Sequence, residues 1–426
     1  MVKLKLKEIK KMKIKTNPVR GCIDYTPSQM EERQNIINII LNTYKSNGFL
    51  QIKTPVLESL DLLNKSDSGD NSKLMFKTVK RGEKLDLTKS NLTEDDIVEE
   101  GLRYDLTVPL VRFFSNNKHD LPMPFKSIQI DESFRGERPQ KGRYRQFTQC
   151  DIDILGEKSV LGEIEIITTV MNTYKNIGLK NLIIKVNSRK ILNDIILKSG
   201  FTLEEETNVC IVIDKIDKIG LDGCKEELLN SGYNENSVQK LYDLLFELRG
   251  KGLFVLKEKG YATSECDKME QLIYIVKQSL PKDYDIIFDI GIVRGQGYYT
   301  GTVFEVFQKN GEYKGALGGG GRYDTMIEKI IEEPVPAVGF GLGLDVVLLV
   351  MKEQEVTIKK ERKKIAIVYD ENESFENLMA YKNELLKIYD VALLPAIKNL
   401  KELERKLKLN TFDGMILFKN KKNIWF

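Results

Sequence analysis

Histidine is almost missing from this chain: His119 is the only one in 426 residues. That scarcity excludes a Ser-His-Asp triad, a Cys-His nucleophile and a histidine-based metal site together. Cysteine is also thinly used. Cys22, Cys150, Cys210, Cys224 and Cys266 are odd in number, scattered, and form no CxxC. They fit neither a disulfide framework nor a zinc site, and they point to a reduced, cytoplasmic compartment. No apolar run reaches the roughly 18 residues of a membrane-spanning helix, so no membrane partner is expected. The first segment, MVKLKLKEIKKMKIKT, is basic but lacks the continuous apolar stretch of a signal peptide. It reads as a short strand, a basic arm or a solvated terminus. A surplus of one charge is lacking too. With a formal net charge of +3, any nucleic-acid binding has to come from local basic patches rather than a global field.

What remains is a composition typical of soluble globular chains, long enough for two or three domains. Ser28 followed by Glu31 has capping-box spacing, and Ile36, Ile37, Ile40 and Leu41 continue a helical period until Gly48. FLQI (49–52) reads as a strand ended by Pro55, and SIQI (127–130) and QCDIDILG (149–156) as strands of an antiparallel sheet. Between about 183 and 285 the character changes. LIIKV and VCIVID read as buried strands and KLYDLLFELRGKGL as an amphipathic helix, so this part reads as an inserted, mostly helical subdomain. IIFDIGIV (286–293) resumes the sheet, and the charged KEQEVTIKKERKK (352–364) reads as a linker. IAIVYD, VALLP and GMILF, separated by helical patterns, make a small β-α-β-α-β unit. The division predicted is 1–182 and 286–352 for the two parts of a core, 183–285 for the insertion, 353–363 for the linker and 364–426 for the last unit.

Two glycine-rich stretches carry no nucleotide fingerprint. GFGLGLD (339–345) has neither the spacing nor the downstream acid of a dinucleotide fold, and GGGG (318–321) is not followed by GKS or GKT. Close backbone packing or tight approach of a ligand explains such glycines. The strongest local signal is FRGERPQKGRYRQFTQ (134–149), four arginines and a lysine crowded around a turn. Guanidinium groups grip phosphate in bidentate fashion and stay charged at any relevant pH. Arg135, Arg138, Arg143 and Arg145 on a strand-turn-strand could therefore surround a polyphosphate, with Phe147 offering a face for a purine. A solvated basic hairpin or an RNA-binding loop without chemistry reads equally well from composition.

Read with its neighbours, this stretch resembles motif 2 of the class II aminoacyl-tRNA synthetases, specifically the histidyl-tRNA synthetases. IVRGQGYYTGTVFE (292–305) resembles the histidine-specific motif, GGGRYD (319–324) its companion, and LRYDLTVPLVR (102–112) the amino-acid-binding segment. GFLQIKTPVLE (48–58) is similar to motif 1, whose proline sits at a dimer interface. The resemblance runs from about Arg20 to Met351. It implies an α+β fold, an antiparallel sheet flanked by helices, working as a homodimer in protein biosynthesis. The implied reaction joins histidine to ATP, supplied as its Mg2+ complex without a protein-bound metal, and then esterifies histidine tRNA. On the matching positions, Arg135 and Arg294 are the implied catalytic cations at the α-phosphate. Arg135, Glu137, Arg143 and Phe147 would bind ATP. Asp105, Thr107 and Gln149 would hold the ammonium of histidine, while Asp153, Tyr298 and Tyr299 would form the imidazole pocket with Arg294 at the carboxylate. His119 is expected at the surface.

Three departures qualify the resemblance. In PAVGFGLGLDVVLLV (336–350), matching motif 3, Asp345 fills the acidic position but Val346 stands where the family has an arginine on adenine and the γ-phosphate. Gln296-Gly297 replaces Leu-Asp, and the last unit is short for an anticodon-binding domain. Ligation at a reduced rate is one reading. The alternative is a non-ligating paralogue such as the regulatory subunit of ATP phosphoribosyltransferase, although such a regulator has little reason to keep phosphate arginines. A plain RNA-binding module explains the arginines but not the histidine pocket.

Overall fold

The computed structural model describes residues 16–65, 74–248, 252–294, 299–358, 360 and 362–426. Its first helix, Pro27–Ser46, is capped by Thr26 and Gln29. The Thr26 hydroxyl accepts from the Gln29 amide N–H, and Gln29 Oε1 accepts from Thr26 N at 2.9 Å. The cap therefore lies two residues before the Ser28–Glu31 pair expected from spacing. Pro27 explains the difference, since at the first helical position it has no N–H to leave unsatisfied.

The strands in chain order are β1 (Leu50–Gln51), β2 (Leu57–Ser59), β3 (Lys77–Val79), β4 (Val98–Leu102), β5 (Phe125–Phe134) and β6 (Gln146–Leu155). After them come β7 (Leu182–Ser188), β8 (Asp285–Phe288), β9 (Thr302–Gln308), β10 (Gly318–Arg322) and β11 (Ala337–Gly343). The last four are β12 (Lys364–Tyr369), β13 (Asp390–Pro395), β14 (Gly414–Leu417) and β15 (Lys422–Trp425). Eight of these form the main sheet in the order β1-β5-β6-β11-β10-β9-β7-β8. Its inner pairings are antiparallel, and only the two outermost, β1 with β5 and β7 with β8, are parallel. The fold is α+β.

Strand β6 shows how the sheet separates a core from a site. Cys150, Ile152 and Ile154 pack with Ile36, Ile40 and Tyr44 of the first helix and with Ile166 and Val170 of helix Leu161–Ile177. Burying each of the larger side chains contributes roughly 1.5–3 kcal/mol. By the two-residue period of a strand, Gln149, Asp151 and Asp153 face the other way. On that side Val108, Leu110 and Val111 of helix Thr107–Asn117 share a core with Phe125, Leu155 and Ala337 of the main sheet.

Four expectations from the sequence are corrected here. LIIKV is not part of an insertion: as β7 it pairs with β9 and β8 inside the main sheet, so a boundary at 183 cuts through that sheet. The helical run between β7 and β8 starts at Arg189 and ends at Ser279, and its buried side chains, from Ile191 to Val276, belong to the same core as the sheet. VCIVID is not a strand but lies in and just past helix Glu206–Ile213, where Val209, Cys210, Val212 and Ile213 are buried. A short apolar run looks alike in a buried helix and a buried strand, and here the neighbours are helices. At the other end, β12, β13 and β14 are parallel with helices Phe375–Leu385 and Leu400–Leu409 between them, and β15 adds an antiparallel edge absent from the expected pattern. The preceding charged stretch is not all linker, because helix Leu344–Glu353 covers its start and Lys360 pairs with Glu31 at 3.3 Å and Asp413 at 3.6 Å.

Candidate active site

Strands β10 and β11 are nearly bare on one face. Gly319 pairs with Gly341, and Gly321 with Gly339, so one face carries four glycines in a square. Each leaves space for a particular group. A Cβ at Gly319 would lie 2.0 Å from Arg294 Nη1, and one at Gly321 would lie 2.9 Å from the Tyr299 ring. A Cβ at Gly339 would strike Asp153 Oδ1 at 1.8 Å, and one at Gly341 would approach Asp151 Oδ1 at 3.0 Å. The glycines therefore admit side chains from the neighbouring strands and from the loop before β9.

Above this floor lies a cleft of about 230 Å³. Asp105, Thr107, Arg135, Arg143, Phe147, Gln149, Arg294 and Tyr299, all singled out from the sequence, line it together. Arg135 is held by its neighbours: Nε donates to the Tyr104 carbonyl at 3.2 Å, and Cζ stands 4.3 Å from the Tyr104 ring centre and 5.0 Å from that of Phe147. Arg143 follows the tight Gln140–Arg143 turn, where Gly142 takes φ +76°. Arg294 has φ +59°, a left-handed conformation costly for a side-chain-bearing residue. Its Nη1 donates to Glu305 Oε1 at 2.8 Å, and Nη2 faces Tyr299 Oη at 3.5 Å.

The acid end is buried. Asp105 Oδ1 accepts from the backbone N–H groups of Thr107 and Val108, both at 3.1 Å, and so caps the following helix. Burial raises its carboxyl above the usual range, against the pull of those bonds and of Arg135. Burial also raises Asp151 strongly, with Asp153 adding to it. Asp153 is pushed up to about 7 by burial, although a 2.6 Å bond donated by Tyr323 Oη works the other way.

Some of the expected residues stand elsewhere. Asp153 lies deeper along β6, beneath Tyr323, and is not part of the cleft lining. Glu137 is also outside it, and its carbonyl accepts from Arg145 Nε at 3.1 Å. Arg145 is thereby tied into the turn, Arg138 is exposed, and Lys141 lies 3.7 Å from Glu353 in a neighbouring hollow. Tyr298 and the Gln296-Gly297 departure fall outside the described residues. His119 is exposed, as expected. Sequence reasoning missed Asp151, Glu305 and Tyr323. All three sit inside quoted motifs, and for Asp151 the signal was available: it lies between Gln149 and Asp153 on one strand face.

The family model described as histidyl-tRNA synthetase matches residues 21–347. The histidine–tRNA ligase of Leifsonia xyli subsp. xyli (strain CTCB07) is 37% identical over 380 residues, 86% of this chain and 87% of that one. The chain belongs to the histidyl-tRNA synthetase family. Among solved structures, a histidyl-tRNA synthetase from Nostoc sp. PCC 7120 matches with a TM-score of 0.75 at 22% identity over 97% of each chain. An ATP phosphoribosyltransferase regulatory subunit/histidyl-tRNA synthetase from Bacillus halodurans C matches at 0.72 and 18%, covering 93% of this chain and 97% of that one. At such identities both likenesses speak for the fold alone.

The motif that departs from this synthetase family has a clear geometry. Asp345 turns away from the cleft, where Arg33 Nη1 donates to its Oδ1 at 2.5 Å and Tyr25 Oη at 3.3 Å. Val346 turns toward it, lining the cleft beneath the arginine turn. A Cβ added to Gly142 would come 3.6 Å from Val346 Cγ2.

Proposed function

We propose that the protein activates histidine with ATP and ligates it to histidine tRNA. The observation that carries this reading is one cleft that Arg135, Arg143 and Arg294 line together with the buried Asp105 and Asp151. A free amino acid carries a carboxylate and an ammonium, and ATP adds a polyphosphate, so the cleft offers charges of both signs that the two substrates call for. The histidine carboxylate attacks the α-phosphorus of ATP, an acyl–phosphate bond forms, and pyrophosphate leaves. Arg135 and Arg294 supply fixed positive charge where it is needed in the transition state, and Arg143 holds the outer phosphates. Asp105, Thr107 and Gln149 take the ammonium. ATP enters as its Mg2+ complex, the metal belonging to the substrate. Tyr299 stands beside the bound amino acid, and Asp153 acts on the imidazole side through Tyr323. We propose further that two copies pair through the region of the first helix and Pro55, and that the enzyme works in the cytoplasm.

Val346 favours a second reading, the non-ligating paralogue, because a valine cannot bind phosphate. Histidine-dependent exchange of pyrophosphate into ATP tests the choice without requiring tRNA. The ligase reading expects exchange with histidine and none with leucine. A purified protein that binds histidine yet shows no exchange is the outcome that moves the assignment to the paralogue.

A further inference from the structure

One buried acid of the cleft is given no substrate contact in the reaction just described. Asp151 sits midway along β6, is 4% exposed and lines the cleft. Gln149 Nε2 donates to its two carboxylate oxygens, at 3.4 Å to Oδ1 and 3.3 Å to Oδ2. The other end of that amide, Gln149 Oε1, is shielded from solvent and has no hydrogen-bond partner within the chain. The arrangement depends on the bare floor, because a Cβ at Gly341 would stand 3.0 Å from Asp151 Oδ1 and 3.2 Å from Gln149 Nε2.

A glutamine amide turns easily about its last torsion, so something must decide which end faces a ligand. Both Asp151 oxygens accept from this amide, and a partner that accepts selects the nitrogen. The oxygen is left without a donor, and a buried acceptor without a donor carries a desolvation penalty that a ligand N–H relieves. We infer that Asp151 is a positioning residue: by accepting from Gln149 Nε2 it fixes the Gln149 amide with Oε1 toward the cleft, where Oε1 accepts from the ammonium group of the amino acid. An ammonium has three N–H donors. Asp105 and Thr107, which line the same cleft as Gln149, supply the other acceptors. This inference deepens the proposed histidine activation and rests on it for the identity of the ligand.

Calorimetry with histidine and with its des-amino analogue, which keeps the imidazole and carboxylate, tests the inference independently of catalysis. The wild-type chain should prefer histidine by about tenfold or more, the worth of one well-made polar contact. In Asp151→Ala the preference should shrink to about threefold or less, through loss of histidine binding with no change for the analogue. Asp151→Asn keeps an oxygen that accepts from Gln149 Nε2, and it should restore most of the preference. ATP affinity should stay unchanged in both variants, and circular dichroism should show both folded. Equal loss in Ala and Asn would assign the effect to charge rather than orientation and overturn the inference. So would an unchanged preference in Asp151→Ala, a loss shared with ATP, or a wild-type chain that does not prefer histidine. Pyrophosphate exchange run beside it keeps the two readings apart. An Asp151-dependent preference without exchange supports the positioning role in a non-ligating histidine binder. Exchange with an Asp151-independent preference keeps the ligase and removes the role.

Discussion

The arginine turn between β5 and β6 and the glycine strands β10 and β11 border one cleft and build it by opposite means. The turn is crowded with cations, yet only Arg135 and Arg143 of its five reach the lining. Arg145 braces the turn, Lys141 pairs with Glu353, and Arg138 faces solvent. The glycine strands offer no side chain on the site face, yet they decide where Arg294, Tyr299, Asp151 and Asp153 lie. Charge in the sequence marks the region of a site, whereas the missing side chains set its geometry. The first should tolerate partial removal, and the second should not.

The largest expected effects test this contrast directly. Arg135→Ala should lower histidine-dependent pyrophosphate exchange by about 10²–10³-fold, as for other single donors at a developing charge. Gly319→Ala should cost a similar factor, although it removes no charge, because its methyl would occupy the place of Arg294 Nη1, 2.0 Å away. Circular dichroism should show both variants folded. A folded Gly319→Ala protein that exchanges at the wild-type rate would show that the position of Arg294 over β10 has no bearing on activation.

Val346→Arg works in the opposite direction. Val346 lines the cleft under Gly142, so an arginine there meets the same space as Arg143. Exchange should rise by about 10- to 1,000-fold, since the added cation acts on the bent triphosphate and the departing pyrophosphate. Val346→Met, of similar reach but uncharged, should give no gain. If neither the wild type nor Val346→Arg exchanges, the paralogue reading replaces the ligase.

A smaller effect concerns pH. The Asp153 carboxyl, pushed up to about 7 by burial, titrates near 3.9 in an unfolded chain. A raised carboxyl favours the protonated folded state, so its contribution is complete below about 4 and is lost as pH rises through about 7. The melting temperature should therefore fall over this interval, and Asp153→Asn should flatten the decline. Asp105 and Asp151 are shifted in the same direction, so part of the slope should survive in the variant. An identical slope in wild type and Asp153→Asn would place the titration on the other two acids.

Much of this was legible in the sequence, and the reasons differ by region. The arginine turn, the alternation of β6 and the three apolar strands of the last unit carry their periods in the chain itself. The helix Glu206–Ile213 did not, because four buried apolar residues in eight satisfy either period. Placing β7 in the main sheet was equally out of reach, since its partners β9 and β8 lie across the whole helical run. The site residues could be named individually, but the depth of Asp153 along β6 could not. Its depth depends on Gly339 and Tyr323, residues 186 and 170 positions away in the chain.

The smallest expected effect separates the arginines of the turn. Arg138 is exposed and outside the cleft, so Arg138→Ala should change exchange by no more than about twofold, the usual range for a surface substitution. Arg143 lines the cleft, and in Arg143→Ala the apparent ATP affinity should fall by about tenfold or more, as befits one charge-assisted phosphate contact. Both residues belong to the same turn and carry the same charge, so a general electrostatic field would treat them alike and weaken ATP binding in both variants. Contact geometry treats them differently. Titrating ATP against the two variants at low and high salt makes the distinction, because a field effect fades with screening while a contact inside the cleft keeps most of its strength. Equal losses that vanish at high salt would mean that the turn works as a cloud of charge, and that its two cleft-lining arginines hold no privileged place.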